Sequence, residues 1–340
     1  MKYSYKWSVG SNFMTKFDEL VSVINTEFVY IQTHNFPDPD AISSAFALQQ
    51  LLKTKNICAK ICYKGKVDRT NIKLMKELFG IEIFDVDTLE EISEEDKIIL
   101  IDSQKGNGNI TQIRGSVIAS IDHHPMNVNV DYEFSDIRED IGACVSIVAS
   151  YYLENNIEMS DDVAEAILYG INVDTANMTR GVSKLDLDIF YKLFNRTKRK
   201  KISRLENETM QVDDLKAFAK AIESISISNI VGIANTGDDC PEALIGTIAD
   251  FILKIETVKI AFVYSVKSTG IKISVRCMKD SHVDAGALIV DALKGIGTGG
   301  GHPTMAGGFV PYVGLDECEI QELLVDVKRR FMNSVEKFTG

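Results

Sequence analysis

Apolar and polar positions along this chain change period again and again, and the changes mark its elements. Phe13, Phe17, Leu20, Val21 and Ile24 recur at helical spacing and predict an amphipathic helix over residues 11–25. The run Phe28, Val29, Tyr30, Ile31 is apolar, β-branched and aromatic, and predicts a strand that ends at Thr33. From Asp40 the period is helical again, through Ile42, Ala45, Phe46, Leu48, Leu51 and Leu52. Strands are then predicted over 57–63, 81–84, 97–101 and 116–121, with a helix over 71–79 closed by Gly80. Helices follow over 141–153, 161–173 and 185–194, the second with Ser160 as its N-cap. Strands alternating with helices predict a mostly parallel sheet with helices on both faces.

Residues 195–214 (NRTKRKKISRLENETMQVDD) are polar and charged, the composition of a linker that is helical in part. The apolar signal resumes at Ala217. It predicts a strand over 229–234, a helix over 242–253, a hairpin of strands 258–266 and 271–277 turning at Ser268-Thr269-Gly270, and a helix over 284–293. The glycine-rich loop GIGTGGGHP, a short strand over 309–310 and a terminal helix complete the chain. At 340 residues the protein is long for one core. The fold expected is α/β: a domain over 1–195, a linker over 196–215 and a smaller α/β domain over 216–340, with the active site in the cleft between them.

Composition narrows the classes. With 45% hydrophobic and 25% charged residues the chain is an ordinary globular one. It has no apolar run of about 18 residues, and residues 1–15 lack the apolar core of a signal peptide, so a soluble cytoplasmic protein without a membrane partner is expected. A net charge of −12 opposes binding to a long nucleic-acid duplex, and the run Lys198-Arg199-Lys200-Lys201 reads as a solvated linker face. The six cysteines are scattered singly and read as reduced, buried thiols rather than a zinc site.

Candidate chemistry gathers where predicted strands stop. His34, Asp38 and Asp40 follow the first strand, Asp102 follows another directly, and Asp122, His123 and His124 follow a third. Asp174-Thr175 stands at the far end of a helix. Open parallel sheets bind their ligands beyond the carboxyl ends of the strands. Pro37 and Pro39 stiffen the first of these loops and hold its carboxylates in set directions. So many carboxylates brought together would repel one another without protons or cations. Nitrogen and oxygen donors suit Mn, Mg, Zn or Fe better than a thiolate metal. A dinuclear site follows, with a carboxylate bridging two ions and a water between them made nucleophilic. A second signal is Gly299-Gly300-Gly301-His302-Pro303 with Gly307-Gly308, where backbone N–H groups can approach an anion closely. Arg276, at the end of a predicted strand, could clamp a phosphate with two parallel hydrogen bonds.

His34-Asn35-Phe36-Pro37-Asp38-Pro39-Asp40-Ala41, the isolated Asp102, Asp122-His123-His124-Pro125, Asp174-Thr175 and Gly299-Gly300-Gly301-His302 together resemble the DHH phosphoesterases with a DHHA1 C-terminal domain. The resemblance spans essentially the whole chain. It implies two divalent ions, manganese with magnesium, cobalt or iron as alternatives. His34, Asp38 and Asp102 would hold one, and Asp40, Asp102, His123 and Asp174 the other, with Asp102 shared. His124 would face the scissile phosphate, Asp122 would orient a neighbouring histidine, and Arg276, the glycines and His302 would grip the substrate. The short two-domain layout looks like the oligoribonucleases, or nanoRNases, that also remove phosphate from 3'-phosphoadenosine 5'-phosphate. Relatives of that group imply a homodimer. The chain departs from the family's habit at Ile42-Ser43-Ser44, at Ser103-Gln104-Lys105-Gly106-Asn107 and at Ala176-Asn177-Met178. The expected activity is hydrolysis of very short RNA, or of a small nucleotide, to mononucleotides. The alternatives are a cyclic or linear dinucleotide phosphodiesterase, a single-strand exonuclease, and a non-catalytic protein that binds metal or nucleotide.

Overall fold

Strand β1 (Phe28–Gln32) lies inside a sheet because its alternate side chains find different apolar surroundings. Val29 and Ile31 join the main core, and Tyr30 joins a smaller cluster with Cys62, Ile98 and Leu100. The structure, a computed structural model, describes residues 14–65, 67, 70–89, 92–126, 128, 130–207 and 210–339. Phe13, the first apolar position of the predicted N-terminal helix, lies outside them. Helix α1 (Lys16–Ile24) starts at Thr15, whose side chain accepts from the Asp18 N–H. Helix α2 (Pro39–Lys53) starts at Asp38: its carboxylate accepts the N–H groups of Asp40 and Ala41 at 3.0 Å each, and Pro39 brings a φ already set for the first turn.

Next come β2 (Cys58–Tyr63), α3 (Thr70–Phe79), β3 (Ile83–Asp85), β4 (Lys97–Ile101), β5 (Ser116–Asp122) and β6 (Phe134–Ile137). Four helices follow, α4 (Cys144–Glu154), α5 (Asp161–Asp174), α6 (Lys184–Phe194) and α7 (Lys200–Asn207). The strands form one sheet in the order β3-β2-β1-β4-β5-β6, and every neighbouring pair is parallel. Helices cover both faces, unevenly. Among the described residues the apolar side chains of α2, α4 and α5 lie on one, and the 3₁₀ turn at Val86–Thr88 with loop residues such as Ile113 lies on the other. Among the described residues α2 is buried from Pro39 to Leu48, and its small residues let α5 come close, with Gly170 over Ser43.

The chain divides into two compact units, Met1–Thr209 and Met210–Gly340. The second holds α8 (Asp214–Ser224), β7 (Ser226–Ser228), β8 (Val231–Asp238), α9 (Glu242–Ile252), β9 (Ile260–Lys267), β10 (Gly270–Cys277), α10 (Ala285–Ala292), β11 (Thr298–His302), β12 (Met305–Pro311) and α11 (Glu317–Thr339). Its sheet has the order β11-β12-β10-β9-β8-β7, with β8 and β9 parallel and the other pairs antiparallel.

Several segments differ from their sequence-based expectation, α8 and the short β7 among them, since neither was expected. Residues 200–207, expected in a partly helical linker, form α7 and are packed on the first unit: Ile202 and Leu205 are buried in its core, and the Glu165 carboxylate accepts the N–H groups of Lys201 and Ile202 at its start. The glycine-rich run expected as a loop is the edge strand β11, and the strand after it is longer than expected. Glycine carries no β-propensity and no side chain to alternate, so such strands leave no pattern to read. The short β6 was not expected at all. Among the described residues no helix is long and apolar enough to cross a membrane.

Candidate metal centre

In the first sheet the strand order reverses between β1 and β4, so the loops beyond their carboxyl ends part and leave a crevice there. The loaded loops follow β1, β4 and β5, which are neighbours and point the same way. Their side chains meet. His34 Nε2 lies 3.6 Å from Asp102 Oδ2 and 3.9 Å from Asp38 Oδ2. His123 Nε2 lies 3.4 Å from Asp102 Oδ1, 3.4 Å from Asp174 Oδ2 and 4.0 Å from Asp40 Oδ2. Asp102 thus turns one oxygen to each group, the geometry a carboxylate needs to be shared by two ions. Among the described residues three sets of donors could hold a cation: His34, Asp38 and Asp102; Asp40, His123 and Asp174; and Asp102, His123 and His124.

Each donor is aimed by a partner behind it. The Nδ1 of His34 contacts the Asn35 carbonyl at 2.8 Å, and that of His123 contacts the Ile141 carbonyl at 3.1 Å. A carbonyl only accepts, so each Nδ1 carries a proton and each Nε2 is left for the cluster. The Asp40 carboxylate sits on the N-terminus of α4 and accepts the N–H groups of Cys144 at 2.7 Å and Val145 at 3.0 Å. One short segment, 141–145, therefore holds both His123 and Asp40. It is held in turn by Asp186, a buried carboxylate that accepts the Gly142 N–H at 2.9 Å and caps α6 through Ser183. A Cβ at Gly142 would stand 2.6 Å from Asp186 Oδ2, so the clamp needs glycine there.

Asp174 is the last residue of α5, where the helix is stopped abruptly. Ala176, Asn177 and Met178 all have positive φ, at 47°, 54° and 63°, and each costs about 1–2 kcal/mol for a residue with a Cβ. Thr175 offsets part of this, accepting the Met178 N–H at its hydroxyl and the Thr179 and Arg180 N–H groups at its carbonyl. Asp102 is itself in the left-handed region, at φ 55°.

The electrostatics ask for cations. Burial, followed by repulsion from Asp102, Asp174 and Asp38, holds the Asp40 carboxyl well above its ordinary range. Burial pushes Asp174 up to about 7, beyond what His123 can offset. His34 is raised well above the imidazole range: burial alone would lower it, and the hydrogen bonds and charges of Asp102 and Asp38 outweigh burial. Asp102 Oδ1 is buried without a hydrogen-bond partner. Divalent ions would relieve all of this at once, and the donor set fits them.

Asp122 stands behind the cluster. Its Oδ1 accepts from His124 Nδ1 at 2.8 Å and from the His123 and His124 N–H groups. Burial would raise this carboxyl, and the bond from His124 outweighs burial and lowers it. Burial likewise opposes charge on His124, but Asp122 and Asp102 raise it to about 9 while no metal is bound. Gln104 was missed by sequence reasoning. Its Nε2 donates to Asp122 Oδ2 at 2.8 Å and to the His124 carbonyl at 2.9 Å, fixing the pair from behind. The departure from the family's small residues after Asp102 was the signal available. The Asp186 clamp left none, since Gly142 lies 44 positions away.

In the second unit the glycines serve two different faces. Pairing sets Gly299 beside Gly308 on one side and Gly300, Gly307 and Ser274 in a row on the other. A Cβ at Gly299 would meet Ile289 at 3.0 Å and one at Gly308 would meet Leu293 at 2.7 Å, so these two let α10 pack on the sheet. A Cβ at Gly300 would meet nothing within 4 Å, which leaves the opposite face bare. His302, Met305 and Arg276 form the next row on that side, which is bare at β11 and covered by α9 at β10. Arg276 is not an idle clamp: its Nε donates to Asp250 at 2.7 Å, one Nη donates to Ser274 at 2.9 Å, and its guanidinium lies over Gly246 of α9.

Comparison with known proteins gives the family. The DHH family N-terminal domain matches residues 28–171, and the DHHA1 domain matches residues 214–333. The chain belongs to the DHH/DHHA1 family. It is 30% identical over 282 residues to an uncharacterised protein of Methanocaldococcus jannaschii, which covers 83% of this chain and 57% of that one. It is 30% identical over 155 residues to a probable manganese-dependent inorganic pyrophosphatase of Bacillus licheniformis, covering 43% of this chain and 48% of that one. The chain thus spans about half the length of these two relatives. An exopolyphosphatase-related protein from Bacteroides fragilis shares the fold, with a TM-score of 0.73 at 17% identity over 94% of this DHH/DHHA1 chain and 97% of the other.

Proposed function

We propose that this chain is a metal-dependent phosphoesterase whose substrate is a linear dinucleotide or an RNA only slightly longer, cut to mononucleotides, with 3'-phosphoadenosine 5'-phosphate as a second substrate. One observation carries the proposal: seven acidic and imidazole groups from three strand ends and one helix end converge around Asp102, which turns one oxygen to each half of the cluster. The family supports the same class of chemistry, and the pyrophosphatase relative supports manganese as the metal. His34, Asp38 and Asp102 would hold one ion, and Asp40, Asp102, His123 and Asp174 the other. Ions held there supply Lewis acidity, neutralising charge on the phosphate and acidifying water.

The chain's own residues do the rest. His124, oriented by Asp122 and Gln104, donates a hydrogen bond and then a proton to the leaving oxygen. The N–H groups at the start of α4 keep Asp40 in place while the charge in the cluster changes. Arg276, Gly299, Gly300, Gly301 and His302 anchor the far end of the substrate; Gly300 and Gly307 leave the sheet open beside them. A long strand would need a basic track and stacking platforms, and the net charge of −12 opposes one.

The test is turnover with manganese of dinucleotide and five-residue RNA, 20-residue RNA and DNA, 3'-phosphoadenosine 5'-phosphate, cyclic and linear di-adenylate, and pyrophosphate. Linear dinucleotides should rank first. A faster pyrophosphate or 20-residue substrate would overturn the choice of substrate, and no metal-dependent turnover of any member would overturn the class.

A further inference from the structure

Between the candidate ligands His34 and Asp38 stands a residue that folding does not explain. Phe36 is 55% exposed and has a φ of 54°, a conformation that opposes any bulky side chain. A glycine or asparagine would suit that backbone better. The conformation is nonetheless enforced on every side. The Phe36 N–H donates to the Lys64 carbonyl at 3.1 Å, and the Asn35 N–H to the Asn109 carbonyl at 2.7 Å. The Asn35 side chain exchanges hydrogen bonds with Thr111, at 2.9 Å and 3.0 Å. Pro37 fixes the next φ. The ring itself rests on Gly65, where a Cβ would stand 2.8 Å from Phe36 Cε1, so bare backbone supports it from behind. What results is a stiff aromatic plate, half in solvent, whose Cα is within about 7 Å of those of both His34 and Asp38.

We propose that Phe36 is a base-stacking residue of the metal centre, which makes this chain prefer phosphates that carry a nucleobase over phosphates that carry none. A ring held this way loses little freedom when another ring stacks on it, and every base offers a face. A phosphate on the cluster brings its own sugar and base over the loop that displays Phe36. Inorganic pyrophosphate has nothing to place there. The inference rests on the phosphoesterase proposal and gives it a substrate class. It concerns a residue that is neither a candidate ligand nor part of the glycine motif.

The experiment is calorimetric titration of the manganese-loaded full chain with AMP and with ribose 5-phosphate, for the wild type, Phe36→Ala and Phe36→Trp. Wild type should bind AMP more tightly than ribose 5-phosphate by about 5- to 100-fold, the range one stacked base provides. Phe36→Ala should erase that ratio and leave ribose 5-phosphate where it was, and Phe36→Trp should keep or raise the ratio. A ratio near one in the wild type, or no binding of either compound, overturns the inference. So does a Phe36→Ala variant that keeps the ratio, or one that weakens both ligands equally, which is what a merely structural role would do. Dinucleotide turnover measured alongside separates the two proposals. Turnover with an unchanged AMP ratio sinks only the role of Phe36, and an AMP ratio that depends on Phe36 without turnover sinks only the phosphoesterase.

Discussion

Stripped of metal, the protein should lose stability as the pH rises, against the usual preference of folded proteins for neutral solution. Asp174 is raised from 3.8 to about 7 by burial, which outweighs the opposing charge of His123. A carboxyl raised in this way favours the fold fully below pH 3.8, and that contribution is lost as the pH climbs through 7. His124 is raised from 6.5 to about 9, since Asp122 and Asp102 outweigh its burial, and its contribution is lost between those values. Both run in the same direction. Between pH 5 and pH 8 the loss from Asp174 alone is about 2–3 kcal/mol. His124 adds about 1–2 kcal/mol, part of it owed to Asp174 itself. For a unit the size of Met1–Thr209 this lowers the melting temperature by about 5–10 °C. The assay is a thermal melt in chelator at pH 5, 6, 7 and 8, repeated with manganese. The ions should remove most of the slope, because they take the place of the protons. Asp174→Asn supplies a sharper sign: without metal it should melt above the wild type at pH 8, although it removes a candidate ligand. A metal-free wild type whose melting temperature is flat or rises from pH 5 to pH 8 would refute the account of the cluster.

Three further outcomes are expected. Asp102→Ala removes the carboxylate that faces both halves of the cluster, so manganese bound per chain, measured by elemental analysis after gel filtration, should fall from about two to below one; two ions retained would rule out sharing. Gln104→Leu keeps the volume but leaves a buried Asp122 oxygen unpaired, which should lower stability in urea by about 1–3 kcal/mol and cut kcat on a dinucleotide; an unchanged kcat would leave Gln104 no part in aiming His124. Gly300→Ala should melt within a degree or two of the wild type, whereas Gly308→Ala drives a Cβ to 2.7 Å from Leu293 and should lose about 1–3 kcal/mol, and equal losses from the two would contradict the division of the glycines between two faces.

How much of this was legible beforehand depends on how local the cause is. The strand ends were legible, because a run such as Lys97–Ile101 is apolar and β-branched until it meets Asp102, and the parallel sheet follows from strands that alternate with helices. The Ser160 cap of α5 was legible too, since its hydroxyl reaches only as far as Val163. The glycine-rich strand β11 was not, and neither was the packing of α7, whose two buried residues are scattered among charges. Sequence by itself therefore determined which donors stand at the strand ends and the class of cation they suit, since those depend on side-chain chemistry and a period of two or 3.6. Only the tertiary structure decided how the donors are aimed. Asp186 reaches Gly142, the α4 N–H groups reach Asp40, and Gln104 reaches Asp122, across 44, 104 to 105, and 18 positions of chain. Contacts between residues so far apart come from packing, which brings buried polar groups to the partners they must have and leaves no trace in the spacing of either residue.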